Sequence, residues 1–397
     1  FGFFASLFSS FGQTFFISLS GAEIRAAYGL GHGDFGLVYM VATLTSAAIL
    51  IWAGRKIDEM DLRLYTAVTV AGLALACLGM ALVEHVLLLA LVIFGLRFTG
   101  QGLMSHISAV SIARYMDRNR GKGLSIAAMG YAAGEALFPT LVVAVIAIFG
   151  WRLLWGGSAA VLVLLLLPFL LWLLKGQKAR HADHQQRQQA LAAEGVETGR
   201  SRAEVLRDPA FYILLPSYLA MAFISTGFFF HQVHLTEAKG WSLSLFAGFF
   251  VIYAISQILA SLGTGLLVDR FSARSLLRFY LWPAALALGF LALVDAPWGG
   301  AAFMIFLAMS AGATSVLHSA IWAEIYGTAH LGAIKAMGTS LMVFSTALSP
   351  PAMGLAIDAG FTMEAIALAC AGYVALASLL IFLLFPRPAV RVAEKTI

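Results

Sequence analysis

The chain is a succession of apolar runs about 20 residues long, separated by short polar loops, and this constrains its fold more than any other feature. An α-helix rises about 1.5 Å per residue, so about 20 apolar residues cross the hydrocarbon core of a bilayer. Runs at 1–23, 34–54, 64–83, 86–112, 124–149 and 153–174 predict six spans, and runs at 210–233, 243–267, 275–294, 299–323, 334–357 and 363–385 predict six more. They are continuous rather than alternating, which argues against a β-barrel. Only 11% of the residues are charged and 61% are hydrophobic, with a mean hydropathy of +0.89. A soluble domain carries about 25% charged residues, so a water-facing enzyme is excluded. The expected class is an all-α integral membrane protein with twelve transmembrane helices.

The segment 175–208 is rich in Gln, Ala, Arg and Glu and has no run able to span. It reads as a solvated linker between two six-helix bundles, 1–174 and 209–386, with a polar tail at 387–397. Alternating loops then place 21 of the 25 Lys and Arg residues on one side, with Arg25, Arg152 and Lys239 opposite and Arg97 within a span. The positive-inside rule makes the first side cytoplasmic, with both termini, in a cell (inner) membrane. Trp151, Trp155, Trp241 and Trp298 fall at the outer boundary, where interfacial aromatics belong. The net charge of +5 is spread over these loops, so membrane topology accounts for it and no nucleic-acid partner is implied. Cys77 and Cys370 sit inside apolar runs, which implies neither a disulfide nor a thiolate metal site. Phe1 already lies in an apolar stretch that passes Gly12 and Gln13 without a cleavage-like end, so it reads as a span and not as a signal peptide.

A shift of 211 residues aligns Gly29 with Gly240, Phe35 with Phe246, Gly54 with Gly265, Asp58 with Asp269, Arg63 with Arg274, Tyr115 with Tyr326, Gly121 with Gly332 and Pro139 with Pro350. One constant offset without gaps points to two parallel six-span repeats. The segment 54–63, with Gly54, Asp58 and Arg63, resembles the loop 2–3 signature of the major facilitator superfamily. Its copy with Gly265, Asp269, Arg270 and Arg274 is closer to that pattern, since in the first copy Glu59 replaces the usual Arg and Asp61 the usual Gly. The segment 97–102, from Arg97 to Gly102, is similar to the family's fourth-span motif, and Gly150-Trp151-Arg152 is common before span six. Two further segments, His231-Gln-Val-His234 and Trp322-Ala-Glu324, resemble carboxylate and organic-anion porters of that superfamily.

The resemblance implies two bundles around a cavity, lined by spans one, four, seven and ten and gated by two, five, eight and eleven. It also implies a gating role for Gly54, Asp58, Arg63, Gly265, Asp269, Arg270, Arg274 and Glu324. As gate residues, Asp58 and Asp269 would hold cytoplasmic loops against nearby Arg residues and helix N-termini.

Arg97 and Glu135 are the clear ionisable residues at mid-membrane. Each is eleven positions into its span, about 16 Å along its helix, so an ion pair between them is geometrically plausible. In one reading Glu135 carries a proton and Arg97 is its partner or anchors a substrate anion. In the other the two form a permanent pair that fixes helix packing. Arg97 shares a helical face with Gln101, Met104 and Ser108. Gln13, the stripe Tyr39–Thr43–Ser46 and the stripe Tyr253–Ser256–Gln257 supply further polar positions, and His318 shares a face with Thr314, Ser315 and Trp322. The substrate-binding candidates are therefore Arg97, Gln101, Gln13, Tyr39, Tyr253, Gln257 and His318. Glu135, His231 and His234 are candidates for proton coupling, although a wetted helix end also explains the two histidines.

The expected function is secondary active transport of a small organic anion, a carboxylate, by alternating access and with proton coupling. A drug/proton antiporter is the alternative, because Gly130-Tyr-Ala-Ala-Gly134-Glu135 resembles the fifth-span motif of such proteins. Metal transport is the weakest reading, since no Cys or Met pair reinforces the histidines. No HExxH, nucleophile elbow or Walker A sequence occurs, so neither an enzyme nor an ATP-driven pump is expected. The partners implied are the substrate, protons and the lipid bilayer, with no cofactor and a monomeric chain.

Overall fold

The computed structural model describes residues 1–54, 56–115, 120–176, 202–327 and 331–384, and the elements found there are helices. Most of the linker, the tail 387–397 and the side chain of Asp58 lie outside the described residues. Among the described residues, nine helices are long and apolar enough to cross a membrane: His32–Ala53, Leu62–Leu82, Val86–Ile112, Lys122–Leu173, Pro209–Phe230, Leu243–Phe271, Pro297–Tyr326, Ile334–Asp358 and Met363–Leu384. Two helices bent by 47°, Gly2–Gly12 and Thr14–Tyr28, together make a tenth crossing. Lys122–Leu173 is two spans joined without a loop, broken at Gly150, whose φ of 78° favours glycine. The shorter apolar helix Trp282–Leu293 completes twelve.

Two boundaries differ from the sequence reading for physical reasons. Span one is not a single helix over 1–23. It breaks at Gln13, whose extended backbone (φ −86°, ψ 154°) separates the two pieces. Span nine is interrupted: a short helix Ala273–Leu276 gives way to a turn and the helix resumes over Trp282–Leu293, because Pro283 offers no N–H and Ser310 Oγ takes the N–H of Ala284 (2.9 Å) and donates to Tyr280 O (2.8 Å). Elsewhere polar caps set the edges. Asp61 accepts from the backbone N–H groups of Arg63 (2.8 Å) and Leu64 (3.4 Å), and Asp208 from that of Ala210 (2.9 Å). Asp61, the departure from the family's usual Gly, thus starts span three.

The repeat is visible in the packing. Span one lies on five, two on four and three on six, and in the second half seven lies on eleven, eight on ten and nine on twelve. The halves meet through two against eleven and five against eight. Hydrogen bonds join them at the end that carries His32. Ser18 Oγ donates to Phe229 O (2.7 Å), and Gln232 Nε2 donates to Phe15 O (3.0 Å) and Ser18 Oγ (2.8 Å). Ser18 and Phe229 are separated by the repeat offset of 211, so residues related by the repeat touch each other across the interface.

At the same end, Asp358 accepts from the backbone N–H groups of His32 (3.0 Å) and Gly33 (2.7 Å), two donors that the first turn of span two leaves without helical partners. Lys239, its side chain 1% exposed, bridges Asp295 (2.7 Å) and Glu364 (2.8 Å) and ties loop 7–8 to spans nine and twelve. Burial opposes its charge, but the hydrogen bonds and the two carboxylates outweigh that and hold its pKa above the ordinary value.

Candidate functional site

The break in span one and an irregular turn in span four create the site together. Span four carries a π-helical stretch over Leu96–Met104, a wider turn that re-aims side chains. Gly12 sits against this stretch so closely that a Cβ there would fall on Leu96 O and 2.8 Å from Gly100 Cα. Gly100 is equally constrained, since a Cβ there would fall 2.7 Å from Gly12 Cα. The helix break leaves Gly12 O without a helical donor, and Arg97 Nη1 supplies one at 3.0 Å. Arg97 is 1% exposed, with its guanidinium carbon 5.0 Å from the centre of the Tyr39 ring. Tyr39 in turn hydrogen-bonds Thr14 at 2.7 Å.

A cavity of about 270 Å³ opens beside this junction, between the two halves. Gln13, Thr14 and Phe15 line it from span one, Arg97 and Gln101 from span four, and Tyr131 and Glu135 from span five. The second half contributes Ser225, Thr226 and Phe229 from span seven, Tyr253 and Gln257 from span eight, Thr314 from span ten and Thr346 from span eleven. Three buried polar atoms of this lining have no hydrogen-bond partner: Arg97 Nε, Glu135 Oε2 and Gln257 Oε1. A buried polar atom without a partner costs about 1–3 kcal/mol, so a ligand with matching groups is favoured here. Two larger grooves, of about 600 and 650 Å³, are nearly all apolar and lie along spans nine and twelve and spans seven, eleven and twelve. Their chemistry suits acyl chains rather than a polar substrate.

Of the residues expected to bind substrate, Arg97, Gln101, Gln13, Tyr253 and Gln257 line the cavity, and so does Glu135. Arg97 and Glu135 share its wall, yet no ion pair joins them in this structure. Tyr39 supports Arg97 from behind. His318 is elsewhere, stacked on Tyr218 with ring centres 3.8 Å apart, inside the second half. Beyond Gln101 the expected Arg97 stripe fails. Met104 is fully buried, and Ser108 donates to Gly2 O (2.7 Å), because the π turn shifts the phase of the helix.

His231 and His234 also lie away from the cavity, beside His32, with ring centres 5.6 Å and 4.5 Å from that of His32. His231 Nε2 contacts Pro350 O at 3.0 Å. Burial, reinforced by Arg25 against Glu237 and Asp358, holds the pKa of His234 below its ordinary value. At neutral pH it is therefore mostly uncharged.

Among the gating candidates, Glu324 and Arg274 meet. Glu324 accepts from Ala273 N (2.9 Å), and its carboxylate lies 3.7 Å from Arg274 Nε. Asp269 is exposed at the end of its helix. Arg270 lies over the Phe271 ring. Gly54 O contacts His106 Nε2 at 3.0 Å, Arg63 is engaged through its backbone by Asp61, and Gly265 has open space around it. Sequence reasoning missed Thr14, Phe15, Tyr131, Ser225, Thr226, Phe229 and Thr346 in the lining. Thr346 had a signal, because it is the repeat mate of Glu135.

The family model described as Major Facilitator Superfamily matches residues 2–255. The chain belongs to the major facilitator superfamily. Its fold is similar to that of the nucleoside transporter NupG, with a TM-score of 0.72 at 15% identity over 98% of each chain. It is also similar to a bacterial homologue of the human lysosomal transporter Spinster in an inward-facing, unoccupied conformation, with a TM-score of 0.67 at 15% identity over 96% of this chain and 95% of that one. No curated protein sequence matches significantly. As a major facilitator protein, the chain is a membrane transporter.

Proposed function

We propose that the protein is a proton-coupled secondary transporter of a small organic anion, a carboxylate, working by alternating access. The observation that carries this reading is the pairing of two unsatisfied groups on one cavity wall, Arg97 Nε and Glu135 Oε2, without an ion pair between them. Arg97 donates one N–H to Gly12 O, which fixes the guanidinium and leaves its other edge for a carboxylate fork. Glu135 supplies the site that gains and loses a proton as the anion arrives and leaves. A charge at mid-membrane costs roughly 2.5–3.5 kcal/mol, so each translocating state is favoured when the two groups and the substrate neutralise one another.

A drug/proton antiporter fits this lining less well. The cavity is small, and beside Phe15 and Phe229 it carries two ionisable groups, three amides and several hydroxyls, more polar chemistry than an amphiphile needs. In the proposed topology the His32–Asp358 end faces outward and both termini are cytoplasmic. The chain acts as a monomer in the inner or plasma membrane, and bundles 1–174 and 209–386 rock about the cavity. The test is a thermal-shift screen of carboxylates, amino acids and amphiphilic cations on purified protein. Carboxylates should stabilise wild type but not Arg97→Ala, and stabilisation by amphiphilic cations alone would reject the reading.

A further inference from the structure

The two repeats do not contribute equally to the cavity. At the repeat offset, the mates of Arg97, Gln101 and Glu135 are Ala308, Gly312 and Thr346. Where the first half presents a guanidinium, an amide and a carboxyl group, only Thr346 of these mates reaches the cavity, with a hydroxyl, while Ala308 is buried and Gly312 packs against span eight. The rest of its lining is neutral as well: Ser225, Thr226, Tyr253, Gln257 and Thr314. Arg97 is thus the single cation among the described lining residues, and Glu135 the single carboxylate. The other ionisable groups there are the phenols of Tyr131 and Tyr253, with Tyr39 behind Arg97.

We infer that the cavity takes a monoanion whose far end is neutral and donates hydrogen bonds, that it rejects dianions, and that one proton moves with each anion so that the cycle carries no net charge. This rests on the organic-anion reading above and goes further by counting charges. With Glu135 ionised and the cavity empty, Arg97 and Glu135 cancel. With Glu135 protonated and a monoanion on Arg97, the sum is again zero. A second carboxylate would meet Thr346, Gln257 Oε1 and Thr314 in the second half, where no cation awaits it. A hydroxyl or amide N–H in the same place would satisfy Gln257 Oε1, which now lacks a partner.

The test uses purified full-length protein in liposomes, with a radiolabelled panel of ω-carbamoyl monoacids (succinamate, glutaramate, 4-carbamoylbenzoate) and their matched diacids. An inward proton gradient should drive uptake of at least one carbamoyl acid and leave its diacid at least 10-fold slower. A valinomycin-imposed potential of 100 mV should change accumulation by less than 2-fold, whereas one net charge per cycle would change it about 50-fold, equivalent to about 2.3 kcal/mol. Gln257→Arg should then admit the diacid. Proton-driven uptake in which the diacid moves equally well, or in which the potential acts with its full weight, overturns this inference and leaves the organic-anion reading standing. Absence of proton-driven uptake across the whole panel removes that reading itself, and this inference with it.

Discussion

Asp358 Oδ2 accepts a 2.7 Å hydrogen bond from the backbone N–H of Gly33, joining the last residue of span eleven to the first turn of span two. A second bond from His32 N makes the carboxylate a shared cap for a helix start in the other half of the molecule. A negative group at a helix N-terminus contributes about 0.3–1 kcal/mol when exposed, as Asp358 is. Because this link must break when the His32 end opens, Asp358→Ala should shift the equilibrium toward that opening by up to about 5-fold. A single cysteine at Ala22 in a cysteine-free background would report it, through faster labelling by an impermeant maleimide. Unchanged labelling would mean that the bond opposes nothing.

The contact between Gly12 and Gly100 makes a stability prediction. Gly100→Ala would place a methyl group on the backbone of Gly12, at the junction that presents Arg97. Overpacking of this kind costs typically 1–3 kcal/mol. The melting temperature in detergent should fall by several degrees, with substrate affinity falling alongside it. Gly265→Ala, with open space around it, should melt like wild type. Equal melting temperatures for the two variants would contradict the packing account.

His318 offers a negative prediction. Both of its ring nitrogens lack partners, yet the ring is stacked on Tyr218 and does not reach the cavity. His318→Gln should cost about 1 kcal/mol or less in stability, losing mainly the aromatic contact. Proton-driven uptake should stay within about 2-fold of wild type across pH 6–8. Loss of the proton dependence in that variant would move the coupling site to span ten.

Much of this molecule could be read from its residues, but not all. The twelve spans follow from run length, because hydropathy over about 20 residues reports the same quantity that the bilayer selects. Arg97 and Glu135 stood out because charge is costly at that depth. The break at Gln13 did not, since both pieces of span one are apolar and an averaged window passes over a single extended residue. The π turn over Leu96–Met104 was equally hidden, so a face extrapolated at 3.6 residues per turn misplaced Met104 and Ser108. The placement of the histidines was hidden for another reason. A histidine fits an aromatic stack as well as a wet cavity, and only the neighbour (Tyr218 for His318, His32 for His234) decides which.

Arg97 has two separable duties, and their mutants should separate them. It ties Gly12 O and it faces the cavity, so Arg97→Ala should lose stability even without substrate, by about 1.5–3 kcal/mol for a charged hydrogen bond. Arg97→Lys keeps the charge without the planar fork and should recover folding better than binding. If Arg97→Ala melts like wild type, the guanidinium is not holding the break in span one.

The central claim is that Glu135 carries the coupling proton on the cavity that holds the anion. The direct measurement compares wild type with Glu135→Gln in proteoliposomes, in counterflow exchange and under an imposed proton gradient. The Gln variant should keep exchange, because it mimics the protonated carboxyl, and should fail to accumulate the anion when the gradient is applied. Accumulation by Glu135→Gln that still follows the proton gradient would contradict the account.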